Sequence, residues 1–370
     1  MASLSPPFAQ PRVWQRNGVG LRVSCVWNAS THLAKVLARV EGRLISSTRR
    51  HSRAGVVTAP QTSHEARHAS VPGGSKVNIV RGRTAFITGA ASGIGLGIAA
   101  AFVEAGMRVV LADLRQDHID EALGAFNKRG QRDSVHAIRL DVTNRAAMAA
   151  AAEEAERVFG KLHVVVNNAG VGIQGPFKGI TYADWDFGLA VNLGGVVNGL
   201  QTLLPRIRAH GEGGHIVNTA SLAALVPMPA QFVIYQTAKA AVVTLSECIR
   251  AQLAQENIGV TVLCPGPVRT NIHEIAKNRP AQFGVGDAFR STENAGGTLV
   301  AFPSMLDPTE VGALVLRAVR NDDLYVITHG EWRPMAEARH AALIAAMPDK
   351  LDPALVAMLQ GPPPGAADKS

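Results

Sequence analysis

From Gly82 onward the chain alternates short, wholly apolar stretches with longer amphipathic ones, and that rhythm leaves very few folds open to it. The apolar stretches Thr84–Thr88, Arg108–Asp113, His136–Leu140, His163–Asn167, His215–Thr219, Gly259–Cys264 and Leu324–Thr328 read as strands. Between them the spacing predicts helices over Ile94–Ala105, Asp117–Arg129, Arg145–Phe159, Ala183–His210, Val233–Gln255 and Pro308–Val319. A strand with no polar face has to be covered on both sides, which means a parallel sheet between helices. Seven such strands joined by right-handed crossovers predict an α/β fold: a doubly wound parallel sheet of the Rossmann type with helices on both faces. The sequence divides accordingly into an extension over 1–80, the α/β domain over 81–330, and a C-terminal piece over 331–370. That last piece carries one more helix at Glu331–Met347 and a frayed, Pro-rich end at Gly361–Gly365.

The net charge of +8 would suggest a nucleic-acid partner, but its distribution argues against one. Residues 1–80 hold nine Arg and two Lys against Glu41 and Glu65, whereas the other 290 residues hold 26 basic and 27 acidic groups. The folded body is therefore neutral and offers no basic footprint. The extension, rich in Arg and Ser and poor in acid, fits an organelle transit peptide; a disordered tail, or sequence upstream of the natural start, fits equally. A cytoplasmic enzyme is expected, or a mitochondrial one if the extension is a targeting segment. No uninterrupted apolar run approaches the roughly 18–20 residues that span a bilayer. Cys25, Cys248 and Cys264 show neither CxxC spacing nor a His/Cys cluster, so no disulfide framework and no metal site is expected.

The first strand runs into Thr88-Gly89-Ala90-Ala91-Ser92-Gly93-Ile94-Gly95, where a helix begins. Gly89 can turn the chain sharply, Gly93 lets backbone approach a pyrophosphate, and Gly95 lets the helix sit close to the sheet. The helix N-terminus, with Ser92 and Ile94 in its opening turn, offers free N–H groups and the positive end of a dipole to phosphates. Asp113 ends the next strand, where its carboxylate can accept hydrogen bonds from ribose hydroxyls and repel a 2′-phosphate. This favours NAD over NADP, although Arg115 two residues later offsets part of the repulsion. Asp113 could also simply close the loop through nearby backbone.

Tyr235-Gln236-Thr237-Ala238-Lys239 opens a long helix, and its i,i+4 spacing places both side chains on one face. An ammonium beside a phenol favours the phenolate and is expected to lower the tyrosine's pKa toward a useful acid/base range. Ser221 lies just past the strand His215–Thr219, fourteen residues before Tyr235, at the sheet edge where ligands bind. Its hydroxyl could hold a substrate carbonyl while Tyr235 donates a proton.

In these residues the chain resembles the short-chain dehydrogenase/reductase family over roughly 82–330. The likeness rests on Thr88-Gly89-x-x-x-Gly93-x-Gly95, Asp141-Val142, Asn167-Asn168-Ala169-Gly170, Asn192, Ser221, Tyr235-x-x-x-Lys239 and Pro265-Gly266, all in family order. The resemblance implies that Asp141 meets the adenine ring with Val142 beside it, and that Asn168, Ala169 and Gly170 support the cofactor. It implies that Asn192 kinks its helix and anchors a water in a proton relay, and that Lys239 bonds the nicotinamide ribose. Pro265, Gly266, Val268 and Thr270 would meet the nicotinamide end. The segment Asn271–Phe302, with Phe283, Phe289 and Phe302, would close over the substrate, and Leu222, Leu225, Val226, Met228 and Phe232 would line the opposite wall. A homodimer or homotetramer is implied as well. Two departures stand out: the Ser221–Tyr235 gap is one residue longer than usual, and Pro267 stiffens the turn after Pro265-Gly266.

The expected activity is hydride transfer between NAD(P) and a secondary alcohol or ketone, with Asn192, Ser221, Tyr235 and Lys239 as the catalytic set and an apolar small molecule as substrate. An NADPH-dependent carbonyl reductase of the 3-oxoacyl type is the alternative enzyme, and a non-catalytic dinucleotide sensor the alternative class. Retention of both Tyr235 and Lys239 speaks against the sensor.

Overall fold

The computed structural model describes residues 81–272, 274, 279–284 and 304–360. The expectations for 1–80, for the Pro-rich end, and for Phe289 and Phe302 lie outside the described residues.

Seven parallel strands form one sheet in the order β3-β2-β1-β4-β5-β6-β7. They are β1 Thr84–Thr88, β2 Arg108–Asp113, β3 Val135–Arg139, β4 Val164–Asn167, β5 Gly214–Thr219, β6 Ile258–Cys264 and β7 Tyr325–Ile327. The helices are α1 Gly93–Glu104, α2 Gln116–Lys128, α3 Arg145–Phe159, α4 Tyr182–Leu189, α5 Gly195–His210, α6 Val233–Gln255, α7 Pro308–Asn321, α8 Arg333–Ala345 and α9 Pro353–Gln360. The doubly wound arrangement read from the sequence is the one found. β1 lies between β2 and β4, so the strand order reverses there and opens a crevice at the strands' C-terminal ends.

Successive residues of one strand feed opposite cores, as the pleat requires. Phe86, Val110, Val165, Ile216 and Val262 pack on one face of the sheet. Ala85, Ile87, Val109, Leu111, Val166, Val217 and Leu263 pack on the other. On that second face α1 crosses α7 at backbone contact: a Cβ on Gly97 would stand 2.0 Å from the Pro308 carbonyl oxygen, and one on Gly312 would stand 2.1 Å from the Gly97 oxygen. α7 starts sharply because Asp307 and Glu310 form a capping box and Pro308 occupies the first turn.

The structure departs from the expected elements at four places. The helix expected over Ala183–His210 is broken into α4 and α5 by a π turn at Ala190–Gly194, a break that a continuous apolar pattern conceals. β3 begins one residue earlier than expected and β7 is only three residues long, while α9 carries no periodicity strong enough to announce it. Two helical stretches, Tyr182–His210 and Ala230–Gln255, are also long and apolar enough to cross a membrane by length and composition alone. A search for uninterrupted apolar runs misses them. Both pack against the parallel sheet, where the apolar face of a core helix passes the same test.

Candidate active site

An open groove runs along the C-terminal ends of the strands. It begins at Asp113, Leu114 and His118, passes the α1 turn at Gly89, Ser92, Gly93 and Ile94, and ends at Tyr235 and Lys239.

The glycine turn is built as the sequence suggests. Gly89 has φ +61° and Gly93 φ +50°, both in the left-handed region, and a Cβ on Gly89 would come within 2.9 Å of the Ala169 Cα. Gly95 does not face the groove. A Cβ there would stand 2.0 Å from the Gly89 carbonyl oxygen, so its part is to let α1 close on the turn. Ser92 is the N-cap residue of α1 but leaves the cap unfilled, donating instead from Oγ to Asn271 Oδ1 at 3.1 Å. With no acidic residue in the first turn, the helix start is electrostatically open to an anion.

Asp113 is buried, and its two carboxylate oxygens accept from the Ala91 N–H at 3.0 Å and the Arg115 N–H at 3.1 Å. It therefore does close the loop, and it also faces the groove, so both readings of this residue hold. Arg115, the cation that could have welcomed a 2′-phosphate, is committed: it pairs with Asp117 and donates to Glu274 at 2.6 Å. Asp141 accepts from Thr143 N and Oγ1 at 2.9 and 2.8 Å, and with Val142 it lines the groove. At the centre, Thr88 Oγ1 accepts from the backbone N–H groups of Asn168 and Ala169 at 3.0 and 3.1 Å, and Asn168 Nδ2 donates to the Thr88 and Gly89 carbonyls. These bonds lock the ends of β1 and β4 side by side.

At the far end, Lys239 is buried and donates from Nζ to the Thr219 carbonyl at 2.7 Å, with Nζ 5.8 Å from the Tyr235 ring centre. A Cβ on Gly170 would meet Asn192 Oδ1 at 2.9 Å and Lys239 Nζ at 3.3 Å, so Gly170 is what lets these two groups approach. Burial pushes the Lys239 ammonium down to about 8. Burial also pushes the Tyr235 phenol above its ordinary value near 10, while a hydrogen bond with Ser221 acts the other way. The expected lowering of Tyr235 is therefore not found. Burial outweighs the hydrogen bond with Ser221, and the ammonium that should favour the phenolate spends a bond on Thr219.

Ser221 and Asn192 stand just behind the groove surface. Ser221 caps a short turn by accepting from the Ala223 N–H at 3.2 Å. Asn192, fully buried in the π turn, accepts from the Val171 N–H at 3.1 Å and donates to the Val171 carbonyl at 3.0 Å. The kink at Asn192 is thus present. Its side chain holds the loop after β4.

Pro265 and Thr270 line the groove. Val268 turns into the core, bridged to Leu306, and Gly266 sits under the ring of His329. Of the segment expected to close over the substrate, Asn271, Ile272 and Pro280 line the groove, while Phe283 packs on Phe187 at 5.4 Å; of the opposite wall, Leu222 and Val226 are buried and do not line it. Nearby, Arg279 forms a buried ion pair with Asp184 at 2.9 Å. The residues that the sequence did not point to include His118 and Thr219, both on the groove surface. Neither belongs to a motif.

Among the described residues one cluster, His163, His210 and Glu212, has the spacing to hold a metal. Its bonding rules that out. His163 Nδ1 accepts from the Thr84 N–H at 3.3 Å and His210 Nδ1 accepts from the Glu212 N–H at 3.1 Å, which uses the lone pair of each neutral ring. Their Nε2 atoms face the Glu212 carboxylate and the Leu162 carbonyl.

The groove fits a dinucleotide: glycines and an acid-free helix start for phosphates, a carboxylate at one end, and a tyrosine–lysine pair at the other. Comparison with known proteins agrees. The family model for short chain dehydrogenase matches residues 83–280. The C alpha-dehydrogenase of Sphingobium sp. (strain SYK-6) is 36% identical over 73% of this chain and 88% of its own length. Among solved structures, the apo form of LigO from the same strain is 41% identical, with TM-score 0.60, covering 73% of this chain and 90% of that one. A short chain dehydrogenase/reductase from Burkholderia phymatum, solved in complex with NAD, is 31% identical with TM-score 0.67, covering 74% of this chain and 98% of that one.

Proposed function

The chain belongs to the short chain dehydrogenase family, and from that premise we propose that it oxidises a secondary alcohol to a ketone, reversibly, with NAD as the hydride partner. The observation that carries the reading is the meeting of Tyr235 and Lys239 at the end of the groove opposite Asp113, with Ser221 bonded to Tyr235 just behind the surface. When bound, the nicotinamide supplies the hydride acceptor.

The chain's own residues supply the rest. The bonded hydroxyls of Ser221 and Tyr235 give a substrate oxygen two partners at one point, and Tyr235 exchanges the proton with it. Lys239 keeps N–H groups for the groove beyond the one given to Thr219, which suits the ribose of the cofactor and a positive field beside the phenol. With Tyr235 held protonated at neutral pH, the resting site is set as an acid, so alcohol oxidation gains rate as the pH rises.

The preference for NAD rests on Asp113 facing the groove and on Arg115 being held by Asp117 and Glu274. The NAD-bound neighbour supports the same reading. A panel of secondary alcohols, each offered with NAD or with NADP and followed by formation of the reduced nicotinamide, tests it. Turnover with NAD at least about tenfold above NADP is expected, the effect of roughly 1.4 kcal/mol at the ribose. Turnover of no alcohol, or a preference for NADP, would contradict it.

A further inference from the structure

His329 follows β7 at the C-terminal edge of the sheet and belongs to no motif, yet it is buried against the active-site end of the groove. Its Nδ1 lies 2.7 Å from Thr328 Oγ1, and the same oxygen accepts from the Gly266 N–H at 2.9 Å. Thr328 has one hydroxyl proton, and with Gly266 donating to its oxygen that proton is free to go to Nδ1. In that tautomer the ring carries its own proton on Nε2, an atom buried without a partner among the described residues. A buried N–H left unpaired is a cost that an apolar side chain of similar size would avoid, so stability alone does not account for a histidine here.

The ring's position shows what it serves. A Cβ on Gly266 would come within 2.6 Å of His329 Nδ1 and 3.0 Å of Leu222 Cδ1, so His329 and Leu222 close on the glycine from two sides. The neighbouring Pro265 lines the groove, and its carbonyl accepts from the Leu222 N–H at 3.0 Å. Leu222 directly follows Ser221. One chain of bonds thus runs from His329 through Thr328 to the Pro265-Gly266-Pro267 turn and on to the loop that carries Ser221.

We propose that His329 is a positioning residue: acting through Thr328, it sets the Pro265-Gly266-Pro267 turn that walls the groove beside Tyr235, and so the fit of the nicotinamide end of the cofactor. The proposal rests on the NAD-dependent reading above. Two variants separate positioning from bulk. His329→Leu removes the acceptor, whereas His329→Asn keeps one, because its side-chain oxygen takes the place of Nδ1.

The expected result is that His329→Leu weakens NAD, in direct binding and in KM, by about tenfold, the scale of one lost hydrogen bond. The unfolding midpoint should stay close to wild type, and His329→Asn should recover most of the loss. Thr328→Val should reproduce the Leu effect, and the double variant should add little to either single change. In the free protein, nitrogen-15 spectra of the ring should show the proton on Nε2. A proton on Nδ1, unchanged NAD binding in His329→Leu, no recovery in His329→Asn, or additive losses in the double variant would each overturn the proposal. Because NAD binding is read without turnover, a wild-type protein that binds NAD but oxidises no alcohol would sink the functional reading and still decide this one.

Discussion

The two edges of the sheet bury the same kinds of side chain and use them differently. At the N-terminal edge, His163 and His210 have both ring nitrogens bonded, and Glu212 is held by Lys161 at 2.5 Å and Arg83 at 3.0 Å. At the C-terminal edge, Asp113, Tyr235 and Lys239 are partly bonded and face a groove with capacity left over. The residue types do not separate function from structure here. How completely each group is satisfied does: a titratable cluster with every lone pair spent fastens the chain, and one with donors and acceptors in reserve awaits a ligand.

Substitution at the two edges should therefore give opposite outcomes. Lys239→Met is expected to cut kcat/KM at least about a hundredfold, the scale of a lost acid/base partner, without lowering stability. The folded pKa of Lys239, about 8, lies below its ordinary 10.5, so its charged form opposes folding below pH 8 and that opposition fades between pH 8 and 10.5. Unfolding midpoints across that window should show wild type gaining on the variant as the pH rises; a wild type that loses ground would break the comparison. His163→Leu should do the reverse. Turnover should stay within about twofold of wild type, while the unpaired Thr84 N–H costs about 1–3 kcal/mol in denaturant unfolding. The smallest effect is on pH dependence. Burial holds His163 below its ordinary 6.5, so its contribution is complete above pH 6.5 and declines as the pH falls; Glu212, at about 2, adds a second decline from 4.5 downward. His163→Leu should flatten the upper part of that curve and also reduce the lower part, since the bond from His163 helps hold the Glu212 carboxyl down alongside Lys161.

Much of the C-terminal edge could be read from the sequence because it is written in local signals. Gly89 and Gly93 answer to backbone angles, Asp113 to the end of its strand, and Tyr235 and Lys239 to one turn of helix. What could not be read depends on groups that meet only in three dimensions. The upward shift of Tyr235 comes from the burial of its ring, which no spacing encodes. The π turn at Ala190–Gly194 interrupts a stretch whose apolar pattern continues through it. Val268 and Thr270 sit two residues apart, where extended chain would put them on one side, yet Val268 is buried in the core and Thr270 lines the groove. His329 lies far along the chain from every motif, and only the pairing of β7 with β6 brings it over Gly266. Arg279 and Asp184 are a second case: neither looks exceptional in sequence, and together they make a buried ion pair beside the groove.

The central claim is that Tyr235 moves the proton in a groove that binds NAD independently of it. The direct measurement is Tyr235→Phe, with NAD affinity and alcohol turnover determined on the same preparation. The account predicts NAD affinity within about threefold of wild type and turnover reduced by roughly 10²–10⁴-fold. Turnover within tenfold of wild type, with NAD still bound, would contradict it.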